Sequence, residues 1–334
     1  MTDRQSLLWL QSGGCGGCSM SLLNAESPTL YDALELAGID LLWHPSLSET
    51  CGESLLQLLQ DIEDGVRELD ILCLEGSVLR GPNNTGLFHR LGGSQRSTME
   101  WLRVLSARAG TTVAVGSCAA FGGITASGEN ITDACGLQYE GEQLGGLLSP
   151  DWHAPGGLPV VNIAGCPTHP NWVLDTLTRL AQNDFNKDDL DSLARPRQYT
   201  DHLVHHGCPR NEYYEYKASA EAPGHLGCMM EHQGCLGTQA RADCNTRLWN
   251  GEGSCLRGGY PCINCTAPDF ERPRGSYART PKIAGIPVGL PTDMPKAWFV
   301  ALASLSKAAT PERLRKNATA TSLQRAPDTG EHDE

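Results

Sequence analysis

The sequence predicts an α/β chain: a doubly wound parallel sheet with helices on both faces, then a cysteine-rich, largely irregular domain and a C-terminal extension. Three observations predict it. Over the first 185 residues, short β-rich runs alternate with helical patterns. From about Arg195 that periodicity gives way to dense glycine, cysteine, histidine and tyrosine, with seven of the fourteen cysteines between Cys208 and Cys265. Beyond Pro273 the chain is punctuated by proline and glycine. The divisions implied are residues 1–194, 195–273 and 274–334.

Taken in order, the expected strands are Leu7–Gln11, Ile39–Trp43, Leu69–Leu74, Thr112–Val115 and Val160–Ala164. The expected helices are Ser19–Asn24, Pro28–Ala37, Ser54–Gly65, Arg96–Ala109 and Pro170–Ala181, and Asp184–Leu193 is an acidic surface segment. The cysteine-rich stretch has too little apolar material to fold on hydrophobicity alone, so bound metal is expected to contribute to its folding. In the extension, a short helix is expected around Ala297–Ala308. A second starts near Thr310, where Thr-Pro-Glu-Arg offers a cap followed by proline in the first turn. The last dozen residues are polar and expected to be disordered.

The formal net charge of −13 argues against nucleic acid and against an anionic membrane surface, because both require excess Lys and Arg. No stretch reaches the roughly 18–20 apolar residues of a membrane span; Ala297–Leu305 is about half that length and is flanked by Lys296 and Lys307. Met1–Gln5 is polar and the first strand follows at once, leaving no room for an export leader, so the expectation is cytoplasmic. In a reducing compartment fourteen cysteines point to metal ligation rather than to disulfides.

Cys15 and Cys18 follow the first strand, Cys118 the fourth and Cys166 the fifth. The carboxyl ends of parallel strands share one edge, so four thiolates from three loops converge there, and adjacent glycines let backbone approach a ligand closely. Four cysteines suit a 4Fe–4S cubane or a zinc ion equally. The plainer alternative makes Cys118 and Cys166 small buried hydrophobes. The second half adds His205-x-x-Cys208, Cys228, Cys235, Cys244, Cys255 and Cys262-Ile263-Asn264-Cys265, enough for two more four-ligand sites. Cys51, Cys73 and Cys135 each sit alone and read as ordinary thiols. Glu75, at the end of the third strand, is placed to relay protons, to hydrogen-bond the cluster surroundings or to cap a loop. His169 is placed to donate to a cluster sulfur or to cap the helix at Pro170.

These residues, in this order, resemble the small subunit of nickel–iron hydrogenases. The pieces are Trp9-Leu10-Gln11 leading into Cys15-Gly16-Gly17-Cys18-Ser19, then Leu22-Leu23-Asn24, Leu74-Glu75-Gly76-Ser77, Gly116-Ser117-Cys118-Ala119 and Gly165-Cys166-Pro167. His205-His206-Gly207-Cys208-Pro209-Arg210 and Pro261-Cys262-Ile263-Asn264-Cys265 continue the match, which spans residues 7 to about 270. The resemblance implies a flavodoxin-like domain with a proximal cluster on Cys15, Cys18, Cys118 and Cys166, and a distal cluster on His205, Cys208, Cys228 and Cys235. It also implies a large subunit that carries the Ni–Fe site as partner.

Three departures matter. Cys255 stands where most of the family has a proline, so the medial site is expected to hold a 4Fe–4S rather than a 3Fe–4S cluster, on Cys244, Cys255, Cys262 and Cys265; three 4Fe–4S clusters are then expected in all. Gly17 stands where oxygen-tolerant membrane-bound members carry an extra cysteine, which implies an ordinary proximal cubane. The gap from Cys228 to Cys235 is one residue longer than usual, leaving His225 and His232 as alternative distal ligands. The soluble tail resembles the hydrogen-sensing branch, implying a histidine kinase partner and a dimer of heterodimers; a cytoplasmic uptake hydrogenase is the alternative. Trp298-Phe299 would pack on this chain or dock a partner, and removal of residues after about 275 is expected to leave the clusters intact. The rivals from other classes are a cluster-bearing component of a quinone reductase, which leaves seven later cysteines unexplained, and a zinc-stabilised interaction module.

Overall fold

The computed structural model describes residues 4–272, 277–283, 286–287 and 295–323. It divides into two compact units, one of residues 1–200 with 265–272, the other of residues 201–264 with those after 272.

The first unit is built on five parallel strands: β1 (Gln5–Gln11), β2 (Ile39–Trp43), β3 (Ile71–Glu75), β4 (Thr111–Val115) and β5 (Val161–Ile163). Their order across the sheet is β2-β1-β3-β4-β5, the doubly wound flavodoxin-like order. Every residue of β3 is buried, because helices cover both faces of such a sheet and its central strands read as continuous apolar runs. Those helices are α1 (Gly17–Leu23), α2 (Leu30–Ala37), α3 (Gly52–Glu63), α4 (Thr98–Arg108), α5 (Ser117–Phe121) and α6 (Pro170–Ala181). Thr29 caps α2, and Ser97 with Glu100 forms a capping box on α4, in accord with the expected boundaries.

Leu8, Leu10, Leu59, Leu72, Leu74 and Leu102 meet in one core between sheet and helices, each contributing about 1.5–3 kcal/mol on burial. Strand β3 starts two residues later than the sequence suggests. Asp70 instead turns its carboxylate to the Ser6 N–H at 2.7 Å and the Ser6 hydroxyl at 2.9 Å. Sequence periodicity also missed α5 and two short antiparallel ribbons, Val78–Leu79 with Ala134–Cys135 and Tyr139–Glu140 with Gln143–Leu144. Elements of two to five residues are too short to show a period.

Over residues 201–264 the second unit has little regular structure: short helices at Asn211–Glu215 and Met230–Gln233 and a 3-10 turn at Val204–Gly207. Helices Lys296–Ala308 and Glu312–Ala318 follow, the second after the Thr-Pro pair, as expected. Leu314 and Ala318 are buried against Ala218, with Tyr213 and Tyr216 beside them, so this helix packs on the cysteine-rich segment of its own chain. The Trp298 and Phe299 side chains and residues 324–334 lie outside the described residues.

Candidate metal centres

The register of the first unit sets up its site. Gln11 pairs with Glu75 at the carboxyl ends of β1 and β3, and the loops beyond carry the cysteines. Cys15 is exposed in the loop after β1 and Cys18 lies buried in the first turn of α1. Cys118 sits in α5 and Cys166 follows β5. The sulfurs share one neighbourhood, approached closely by glycine backbone. A Cβ on Gly116, whose φ is +86°, would lie 2.5 Å from Cys18 Sγ, and one on Gly123 would lie 2.9 Å from Cys118 Sγ. Only glycine meets both demands at Gly116.

Burial pushes the thiols of Cys18, Cys118 and Cys166 up, the last to about 12, and each also feels the charge of others in the group. Backbone donation from Thr168 to Cys18, and from Ile124 and Thr125 to Cys118, opposes this. Clustered thiols that burial disfavours as bare anions, two of them met by N–H groups, suit a soft, positively charged metal group. Among the described residues, no three His, Cys, Asp or Glu side chains converge at the spacing of a single bound ion.

Glu75 is 4% exposed and underpins the loop that carries Cys18. Its carboxylate accepts from the Cys18 N–H at 2.9 Å, the Ser19 N–H at 3.1 Å and Gln11 Nε2 at 2.8 Å, and from the Ser19 hydroxyl. It thereby satisfies the first-turn donors of α1, where a negative charge is favoured. His44, which carries no motif signal in the sequence, joins through Ser19 Oγ at 3.1 Å, and burial holds its pKa below the usual range. His169 caps α6, its Nδ1 accepting from the Asn171 N–H at 3.2 Å.

In the second unit one cavity is lined by His205, Cys208, Cys228 and Cys235 together with Arg210 and Tyr214. His225 and His232 do not line it. The His225 Nδ1 accepts from the Ala222 N–H at 3.3 Å, and His232 lies 4.0 Å from Glu231. The His205 ring stands edge-on to Tyr214 at 4.4 Å between centroids. Burial pushes Cys208 to about 11 and Cys228 to about 12, and raises Cys235 as well. Arg210 was legible only as part of a motif, yet it organises this cavity. Its N–H reaches Cys208 Sγ at 3.4 Å, and Nη1 donates to the carbonyls of His225 at 2.6 Å and Gly227 at 2.8 Å. The guanidinium thus places a fixed cation in the field of three thiols.

The remaining four are divided between the units. Cys244, Cys255 and Cys262 belong to the second and Cys265 to the first. Cys255 is exposed and Cys262 donates its N–H to Cys235 Sγ at 3.3 Å. Cys265 accepts at its carbonyl from Ser117 Oγ at 2.5 Å and adds to the charge felt by Cys166. Cys73 and Cys135 are fully buried and Cys51 is exposed beside α3.

Two family models match. One is the 20 Kd subunit of NADH ubiquinone oxidoreductase, over residues 15–180; the other is the C-terminal region of the NiFe/NiFeSe hydrogenase small subunit, over residues 200–278. The chain is 35% identical over 286 residues to the F420 non-reducing hydrogenase II small subunit of Methanosarcina mazei, covering 79% of this chain and 72% of the relative. It is 32% identical over 280 residues to the periplasmic NiFeSe hydrogenase small subunit of Desulfomicrobium baculatum, covering 79% and 84%. The chain belongs to the nickel–iron hydrogenase small subunits. Such a small subunit partners a catalytic large subunit and serves electron transfer. The actinobacterial-type NiFe hydrogenase of Ralstonia eutropha superposes with a TM-score of 0.74 at 26% identity, over 98% of this small subunit and 96% of that chain. No helix among the described residues is long and apolar enough to cross a membrane.

Proposed function

We propose that this small subunit holds three 4Fe–4S clusters and passes electrons from H2 oxidised in its large subunit to an acceptor in the cytoplasm. The proximal cage is Cys15, Cys18, Cys118 and Cys166, the distal cage His205, Cys208, Cys228 and Cys235, and the medial cage Cys244, Cys255, Cys262 and Cys265. The observation that carries the reading is the gathering of the first four cysteines at one sheet edge, with backbone N–H groups turned toward the Cys18 and Cys118 sulfurs. Iron–sulfur clusters supply reversible one-electron transfer at potentials set by ligand type, hydrogen bonding and exposure. The chain's own residues do the rest. Gly116 and Gly123 let the backbone close over sulfur, Glu75 fixes the Cys18 turn, and Arg210 offsets thiolate charge at the distal site.

Copurification with the large subunit tests this directly. Expected are nickel in the complex, about twelve irons per chain and broad absorbance near about 400 nm that bleaches under H2. Zinc in place of iron would establish the interaction module instead. A native 3Fe–4S signal in the oxidised protein would overturn the medial assignment.

Within this reading we propose that the complex senses H2 and signals to a histidine kinase as a dimer of heterodimers. The support is the long segment after the last cysteine motif. A cytoplasmic uptake role is the second reading. Fast H2 turnover without any kinase contact would decide for uptake.

A further inference from the structure

The segment from Thr310 to Ala320 is fastened to the backbone that presents Cys228. Leu314 is fully buried and Ala318 is 3% exposed, both against Ala218. The Gly227 N–H donates to the Ala318 carbonyl at 3.0 Å, and the Leu226 N–H to the Ala320 carbonyl at 3.0 Å. Thr310 Oγ1 donates to the Tyr216 carbonyl at 2.8 Å, and Arg313 pairs with Glu212. On its other side the same stretch is tied inward: the Cys228 N–H donates to the Ala218 carbonyl at 3.0 Å and the Ala220 N–H to the Cys228 carbonyl at 2.8 Å. Arg210 Nη1 holds the Gly227 carbonyl at 2.8 Å. A Cβ on Gly227 would lie 2.8 Å from the Ala318 carbonyl oxygen, so the two backbones are in direct contact.

The stretch leading into Cys228 is therefore held between the cysteine-rich segment and the tail, with backbone hydrogen bonds to both. A loop fixed on one edge only would let a ligand swing out of place, and cluster sites depend on residues that orient their ligands.

We propose that residues 310–320 are a working part of the distal site, with Leu314 and Ala318 acting as positioning residues for Cys228. The tail is then not separable from cluster binding, contrary to the sequence expectation that removal beyond about residue 275 spares the clusters. This inference rests on the proposed distal ligand set.

The test uses the full chain copurified with its large subunit. Leu314→Asp places a charge in the buried contact. It is expected to lose about four of about twelve irons, together with the distal electron paramagnetic resonance signal, while the proximal signal stays. The milder Leu314→Ala is expected to keep its iron but to raise the distal midpoint potential, because a loosened, wetter site favours the more negatively charged reduced form. Leu314→Met is expected to restore the parent potential, and a stop after Ser322 to leave iron and potential unchanged. Full iron in Leu314→Asp with an unshifted potential in Leu314→Ala would overturn the proposal. Cys228→Ser separates the two levels: if it loses no iron and no distal signal, the ligand set is wrong, whatever Leu314 does.

Discussion

The two units reach order by different physical means. The first has a continuous apolar core from Leu8 and Leu10 through Leu72 and Leu74 to Leu102. The second buries Leu314, Ala318 and Ala218 in one small aliphatic cluster and scatters Leu203, Val204, Met229, Met230 and Leu256 through a cysteine-rich interior, where thiols, an arginine and backbone carbonyls also meet. The contrast predicts that the second unit depends on what it binds more than the first does. It follows that damage to the two halves will look different.

Stripping iron anaerobically with a chelator should separate them most. Hydrogen exchange followed by mass spectrometry is expected to show residues 201–264 losing protection, while β1, β3 and β4 keep theirs. Equal loss in both would end the distinction. Gly116→Ala comes next, since the new methyl falls 2.5 Å from Cys18 Sγ in a backbone conformation that disfavours it. Loss of about four irons is expected, with the second unit's exchange pattern unchanged. Leu102→Ala, at a fully buried site, should cost the first unit about 2–5 kcal/mol and lower its melting temperature without altering the iron count.

The smallest effect concerns His44, 2% exposed and held below its usual pKa by burial, with Glu75 pulling the other way. The unfolded chain binds a proton at this residue below about pH 6.5 while the folded chain resists it, so stability is lost as pH falls from there toward the lower folded value. His44→Gln is expected to flatten that part of a melting-temperature profile. An unchanged slope would assign the acid sensitivity elsewhere.

Most of the first unit was legible from sequence because its strands are Leu-, Ile- and Val-rich runs and its helices carry explicit caps at Thr29, Ser97 and His169. The proximal cysteines were legible for a topological reason: strand ends in a parallel sheet meet at one edge. What escaped detection were contributions made by backbone. The N–H groups of Ile124, Thr125 and Thr168 leave no residue-type signature, and Gly123 looks like any other glycine. His44 escaped because its link to the site runs through Ser19. The docking of Glu312–Ala318 escaped because Leu314 is the one large apolar residue in that helix, too little for a periodic signal.

The return of residues 265–272 to the first unit bears on biosynthesis. Arg195, 5% exposed and paired with Asp191, donates through Nη1 to the Thr266 carbonyl at 2.7 Å, and Ser117 reaches the Cys265 carbonyl. When residue 200 leaves the ribosome, these acceptors have not yet been made, and residues 201–264 must emerge first. The nascent scaffold therefore waits, nearly complete, with the ground beside Cys118 and Cys166 still open. The carboxyl edge of the sheet is therefore completed by a segment that is made only after all of residues 201–264.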